Sequence, residues 1–240
     1  MKGFGYQRPW VLINGEPSYG VDGLIITSLP PITKPAMRYN SEEIDGRDGD
    51  IITTLGYQSY DKTLSVGLHG DFDIDKVIEF FATSGTVTFS NEPDKIYRFQ
   101  QLDAIDFERL VRYRTADVKL HVQPFKTGRL QRPKVFAGSD AQAVVVNAGN
   151  VVAAPKLTIK ASGDVGLYLD GVQILSVAQS GGYTLVVDVA ALEASTPEGQ
   201  LMNRHITGDY ARLMLSPGRH TLKWRGKVSS LTIEDYSRWI

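Results

Sequence analysis

The stretch that most constrains this chain runs from Ala143 to Val177. Leu167-Tyr168-Leu169 and Val172-Gln173-Ile174 flank Asp170-Gly171. That dipeptide favours a two-residue turn with positive φ at both central positions, which Gly tolerates and Asp accepts. Upstream, the Asn147-Ala148-Gly149-Asn150 cluster supplies turn chemistry between a strand end and a re-entry. Pro155 cannot donate to a sheet ladder, so it belongs at a strand start or an edge. The residues that follow read as more of the same sheet, and those that precede it as a second, separate sheet system.

In that preceding part, Asn14-Gly15 sits between apolar runs as a turn signal. Pro30, Pro31 and Pro35 impose an extended, irregular segment. Asp45 to Asp50 packs two glycines and three aspartates into a tight loop. Leu64, Val66 and Leu68 alternate with small residues at strand period. Ile74, Val77, Ile78 and Phe81 then form one helical stripe, with Asp73 as N-cap, Asp75 in the first turn and Gly85 suiting the stop. Strands are expected at 86–89 and 96–102 and as a long pair around 103–125. Val118, Leu120 and Val122 alternate there with Lys119, His121 and Gln123, one dry face and one wet.

The basic, Gly- and Pro-containing run from Phe125 to Lys134 reads as a solvated linker, giving domains at 1–128 and 129–240. Beyond it come short strands, a short helix over Val189–Ala194 stopped by Pro197, and a Pro-Gly turn over Ser216–Arg219. That turn joins Leu213-Met214-Leu215 to Thr221-Leu222-Lys223-Trp224. Regular short strands with turn signals indicate a sandwich or jelly roll. The expected fold class is mainly β, with two β-sandwich domains.

Lys and Arg total 26 against 27 Asp and Glu, and that near balance argues against a general nucleic-acid binder. The absence of cysteine excludes disulfides, thiolate nucleophiles and Cys-ligated zinc. No run is long and apolar enough for a membrane span, and MKGFGYQRPW has no apolar run to make a signal peptide. The four histidines, His69, His121, His205 and His220, lack helical metal spacing. His121 falls on the polar phase of its strand, as a solvent-facing or hydrogen-bonded residue. Asp71, Asp73 and Asp75 start like a calcium loop, but Lys76 and Ala82 stand where Gly and Glu are needed. Asp45, Asp48 and Asp50 are a weaker version of the same idea, and a turn of carboxylates explains them. GFGYQR at 3–8 fails as a dinucleotide fingerprint at Arg8, and there is no nucleophile elbow or P-loop. No catalytic, cofactor or metal residue is assigned. Tyr183, Tyr210 and Trp224 are candidate sugar-stacking platforms, although Trp224 shares strand phase with Leu222, as a core ring would.

Taken in order, several of these pieces resemble the distal tail protein (Dit) family of long, non-contractile-tailed phages, mainly those of Gram-positive hosts. In the first domain they are Ile13-Asn14-Gly15, Ser28-Leu29-Pro30-Pro31, Asp45-Gly46-Arg47-Asp48-Gly49 and the helix near 74–84. In the second they are Val146 to Asn150, Pro155 to Ile159, Leu169-Asp170-Gly171, Leu215 to Gly218 and Thr221 to Gly226. The resemblance implies a tail-tube-like N-terminal domain with one helix and a long hairpin, closing into a homo-hexameric ring. It implies a galectin-like C-terminal sandwich. The ring would sit at the distal end of the virion tail, between tail-tube and tail-tip (Tal) proteins, and could carry receptor-binding proteins. DNA would pass through it unbound, and there would be no catalysis and no cofactor. Pro30, Pro31, Gly46, Arg47, Asp48 and Gly49 are the candidate assembly contacts. The competing expectation is a carbohydrate-binding module for host-wall polysaccharide.

Overall fold

The computed structural model describes residues 8–178 and 182–240. The chain divides into two compact units, the first reaching Arg129 and the second spanning Leu130–Trp239. Every strand pairing described is antiparallel.

The first unit opens with β1 (Val11–Ile13) and β2 (Glu16–Pro17), joined through Asn14 and Gly15, which both take positive φ as the turn requires. There follow β3 (Leu24–Ser28), β4 (Met37–Glu43), β5 (Asp50–Tyr57), β6 (Tyr60–Leu68), helix α1 (Ile74–Phe81), β7 (Gly85–Phe89), β8 (Lys95–Gln100), helix α2 (Phe107–Tyr113) and β9 (Thr115–Gly128). Seven strands form one sheet in the order β2-β1-β7-β8-β9-β6-β3, while β4 and β5 form a separate two-stranded ribbon. The long β9 makes this possible. Its first half pairs with β6 and its second half with β8, and the two overlap only near His121 and Val122. Residues from both flanks of β9 share one core with Val77 and Phe81 of α1 and Leu110 of α2.

Two expectations change here. Gly85 does not end α1: Ala82 is the cap residue, and Gly85 starts β7 at φ 146°, with the Asn14 side chain where a Cβ would go. Among its described residues the first unit also holds two α-helices rather than one. The supposed strand pair begins instead with α2, capped by the Asp106 carboxylate accepting from Arg109 N at 2.8 Å. Leu110 is buried and Arg114 ends the helix in the left-handed region.

The second unit contains β10 (Lys134–Ala137), β11 (Gln142–Asn147), β12 (Lys156–Ala161), β13 (Val165–Leu169), β14 (Val172–Val177), β15 (Tyr183–Asp188), β16 (Glu193–Ser195), β17 (Ile206–Gly208), β18 (Gly218–Arg225) and β19 (Val228–Glu234). They form two five-stranded sheets, β10-β19-β12-β15-β16 and β11-β18-β13-β14-β17, with one apolar core fed by both. Asp170 (φ 50°) and Gly171 (φ 86°) make the expected turn between β13 and β14. The helix expected over Val189–Ala194 is a turn, with Leu192 at positive φ, and then β16 pairing with β15. The residues before the Pro-Gly turn wind as a 3-10 helix over Tyr210–Leu213, and Leu215 makes a single bridge to Ala153.

Candidate assembly surface

The β4–β5 ribbon is the least covered part of the described chain. Every residue of β4 and all of β5 except Tyr57 are exposed. The register runs from Met37↔Tyr57 to Glu43↔Asp50, with a bulge between Arg38 and Tyr39. Large apolar side chains nonetheless lie on it, among them Tyr39 and Ile52, both 58% exposed, and Leu55 at 49%. A lone two-stranded ribbon is marginal in water, so this one is a surface suited to being completed by something else.

Of the candidate contacts, Gly46, Arg47, Asp48 and Gly49 form the ribbon's tip, where both glycines take positive φ. Arg47 N donates to Ile44 O at 3.1 Å, and Ser41 hydrogen-bonds Asp50 across the strands. Pro30 and Pro31 lie at the root. Pro30 is buried and its carbonyl accepts from Asn91 Nδ2 at 2.9 Å. Pro31 is exposed, but its carbonyl accepts from Lys62 Nζ at 2.8 Å. Gln58 N donates to Ala36 O at 2.7 Å and closes the ribbon's base.

Beneath this root lies Lys62, which no sequence motif marks. It is 3% exposed, with its ammonium 5.0 to 5.7 Å from the ring centroids of Tyr60, Phe89 and Tyr97. Burial pulls its pKa down to about 8, and the neighbouring Lys126 adds to that while Glu92 opposes it. Lys126, 4% exposed, pairs with Glu92 at 2.9 Å, and Tyr97 donates its hydroxyl to the same carboxylate. The Tyr60 hydroxyl is buried with no hydrogen-bond partner among the described residues, and burial and Glu92 push its pKa to about 12. The sequence did carry a signal for these groups. Lys62 shares phase with Leu64 and Val66, and Lys126 with Val118, Leu120 and Val122, so both lysines sit on a dry face.

Two histidines occupy Asp-His-Ser chains. His121 reaches Asp61 Oδ1 through Nδ1 (2.7 Å) and Ser59 Oγ through Nε2 (2.9 Å). His220 reaches Asp170 Oδ2 through Nδ1 (2.7 Å), and through Nε2 the Ser216 carbonyl (2.9 Å) and Oγ (3.3 Å). The second chain ties one turn to another, since the Ser216 carbonyl competes with its hydroxyl for Nε2. Asp61 also accepts from Lys119, which bridges on to Asp103. Hydrogen bonds from His121 and Lys119 hold the Asp61 carboxyl below its usual range. Surface cavities of about 560, 330 and 360 Å³ are lined by α2, by the β1–β3 region with His69, and by the groove beside Phe80. None of the three includes either chain. Among the described residues no group of three or more His, Asp or Glu is placed to hold a metal ion, and no helix is long and apolar enough to cross a membrane.

The sugar-stacking candidates fare differently from one another. Trp224 is 1% exposed, its Nε1 donating to Gly138 O at 2.8 Å and its ring 5.9 Å from that of Phe136. A ring enclosed in the core has no face for a ligand, so Trp224 is withdrawn as a platform. Tyr210 packs half-buried on the same core, with its hydroxyl donating to Asn203 Oδ1 at 3.0 Å. Tyr183 begins β15, and its side chain lies outside the described residues.

No family model and no curated protein matches the sequence. Among solved structures, the Dit (gp 19.1) protein of SPP1 aligns over 98% of this chain and 100% of its own, at a TM-score of 0.67 and 17% identity. The fold is that of a Dit-like protein. SPP1 Dit is described as a paradigm of the hub adsorption apparatus in phages that infect Gram-positive bacteria. Chains of the phage P2 baseplate in its activated conformation, with Ca and with Sr, align over 94% and 96% of this chain, at a TM-score of 0.49 and identities of 8% and 9%.

Proposed function

We propose that the chain is a structural hub of a phage tail tip: a ring of identical copies, six on the resemblance, joining the tail tube to tail-tip and receptor-binding proteins. The likeness to SPP1 Dit over the whole length supports a tail or baseplate role. The observation that carries the ring itself is the β4–β5 ribbon, exposed on both faces and carrying apolar side chains that its own unit leaves uncovered. Head-to-tail contacts between identical copies close into rings when the rotation allows, and strand edges are natural places for such contacts. The tip and root residues Pro30, Pro31, Gly46, Arg47, Asp48 and Gly49 are the proposed contacts. The ribbon carries Glu42, Glu43, Asp45, Asp48 and Asp50 against Arg38 and Arg47. A surface of that sign repels phosphates, which suits a conduit that passes DNA without holding it. On this reading the protein has no catalytic role.

The test is mass by light scattering over a range of concentrations, with negative-stain imaging. The parent chain is compared with a variant in which residues 41–52 are replaced by a two-residue Asn-Gly turn. The parent forms closed rings and the shortened variant stays a single chain. A parent that is a single chain at every concentration, or a variant of unchanged assembly, refutes the proposal.

A further inference from the structure

The second unit carries a face whose charge pattern the hub reading leaves unused. In β18, Leu222 and Trp224 point into the core, so Arg219, Thr221, Lys223 and Arg225 point outward. At about 3.4 Å per residue, outward positions on one strand lie about 7 Å apart. The five strands of this sheet, QAVVVN, VGLYL, VQILSV, ITG and GRHTLKWR, contain no Asp or Glu, although 27 of the chain's 240 residues are acidic. Among the described residues neither Arg219 nor Lys223 has an ion-pair partner. Carboxylates do stand in the adjoining turns, and three are engaged by backbone N–H groups. Asp140 takes Gly226, Asp170 takes Thr221 and Asp209 takes Ala211, at 2.7 to 2.9 Å. Asp164 lies in the turn before β13.

One aromatic ring lies among these cations. Tyr168 of β13 is the cross-strand partner of both Lys223 and Gln173, and Gln142 is opposite Lys223 on the other side. The Tyr168 hydroxyl donates to Gln173 Oε1 at 3.2 Å, and the Arg225 guanidinium lies 5.4 Å from the ring centroid. The ring reclines along the sheet over Gly166, where a Cβ would come within 3.2 Å of its Cε2. A side chain at 166 would lift it. The result is a half-buried ring held along the sheet, with amide groups on the same cross-strand row and a line of cations beside it.

We propose that this face binds an acidic glycan, with one sugar ring stacked on Tyr168 and its anionic groups met by Lys223, Arg225 and Arg219. The Gln142 and Gln173 amides supply donors and acceptors for hydroxyls. Single-stranded nucleic acid needs successive stacking platforms, and these five strands present one outward ring. An extended acidic peptide is captured at a strand edge through its backbone, whereas this site is the middle of a sheet. Sugar-binding is thereby moved away from Trp224, and the site does not depend on ring formation.

The experiment uses the full chain and isothermal titration with polygalacturonate, neutral dextran, polyglutamate and single-stranded DNA. Polygalacturonate binds, weakens as salt rises from about 50 to about 300 mM, and is preferred over the other three. Lys223→Gln and Arg225→Gln each weaken it by about tenfold, and Tyr168→Ala weakens it similarly. Lys160→Gln, on the other sheet, leaves it unchanged, and circular dichroism of each variant checks the fold. The proposal is overturned if polygalacturonate does not bind, if polyglutamate or DNA binds as well, or if folded Tyr168→Ala binds like the parent. The mass measurement above is read separately, so either proposal can fail alone.

Discussion

Lys62 on β6 donates its ammonium to the carbonyl of Pro31, at 2.8 Å, from a site almost closed to water. A buried cation thus fixes the segment from which the exposed ribbon departs. Its pKa falls to about 8 in the fold from an ordinary value of 10.5, because burial penalises the charge. The folded state therefore binds fewer protons than the unfolded one between pH 8 and 10.5, and stability gained there is lost again as pH falls through 8. Relative to Lys62→Met, the parent should gain up to about 3 kcal/mol across that window. Denaturant unfolding of both proteins from pH 7 to 11 measures the difference, and a flat difference refutes the account. Lys62→Met should also leave the Pro31 carbonyl without its donor, which hydrogen exchange over residues 31–57 would report as faster opening.

Asp73 caps α1 by accepting from Asp75 N at 3.1 Å and Lys76 N at 3.4 Å, with Lys76 nearby in an exposed ion pair. Asp73→Ala should cost about 1 kcal/mol, while Asp73→Asn, which keeps the acceptor, should cost much less. Thermal unfolding of the pair separates the cap from the charge. If Asn is as costly as Ala, the carboxylate's charge, acting on the helix dipole and on Lys76, rather than the cap is responsible.

The contrast between α1 and the ribbon shows what the sequence could disclose. Periodicity reports burial, so a helix with Val77 and Phe81 in the core and strands with Leu64, Val66, Val118 and Leu120 in the core were legible. Positive φ demands particular residues, so the Asn14-Gly15 and Asp170-Gly171 turns were legible too. The ribbon buries neither face, so β4 and β5 carry no alternation, and only their Gly- and Asp-rich tip leaves a signal, that of a loop. α2 escaped because Leu110 is its one buried residue. Which side chains meet across strands, as Tyr168, Lys223 and Arg225 do, depends on pairing between distant segments that no local pattern encodes.

His220 and Asp170 should give stability a pH optimum. Burial alone would lower the imidazole's pKa, but the Asp170 carboxylate and the Ser216 carbonyl outweigh it and raise the value above 6.5. Burial pushes the other way on Asp170, yet hydrogen bonds from Thr221 N–H and His220 bring its carboxyl below 3.8. The His220 contribution is complete below pH 6.5 and disappears as pH rises through the raised value. The Asp170 contribution is complete above pH 3.8 and disappears as pH falls through the lowered one. His220→Gln should therefore cost most near pH 5, on the order of 1 kcal/mol because Asp170 is half exposed. The cost should shrink toward pH 8. A penalty independent of pH would show that the imidazole acts only through packing.

The sequence marks Asn147 as a turn residue, and its position makes it more than that. It is 2% exposed, and its Nδ2 donates to the carbonyls of Val151 and Leu215, both at 2.9 Å. Its Oδ1 accepts from Gly149 N at 2.9 Å and Arg238 N at 3.4 Å. One amide thus joins the end of β11, the following turn, the residue before the Pro-Gly turn and the chain's last segment. Gly149 is packed so closely that a Cβ there would fall 1.7 Å from the Arg238 carbonyl oxygen. Asn147→Ala should cost about 2 to 4 kcal/mol, since it takes the side-chain partner from the Val151 carbonyl and from two N–H groups in a closed site, while the Leu215 carbonyl keeps Ala153 N at 2.9 Å. Asn147→Asp keeps the shape and the acceptor but turns an oxygen toward both carbonyls, so at neutral pH it should be at least as costly. Lowering pH far enough to protonate the new carboxyl should recover part of the loss, because a neutral acid can donate to one of the two. Denaturant unfolding at pH 7 and pH 4 checks this, and an Asp variant no less stable than the parent at pH 7 would mean that Asn147 is replaceable by any polar side chain.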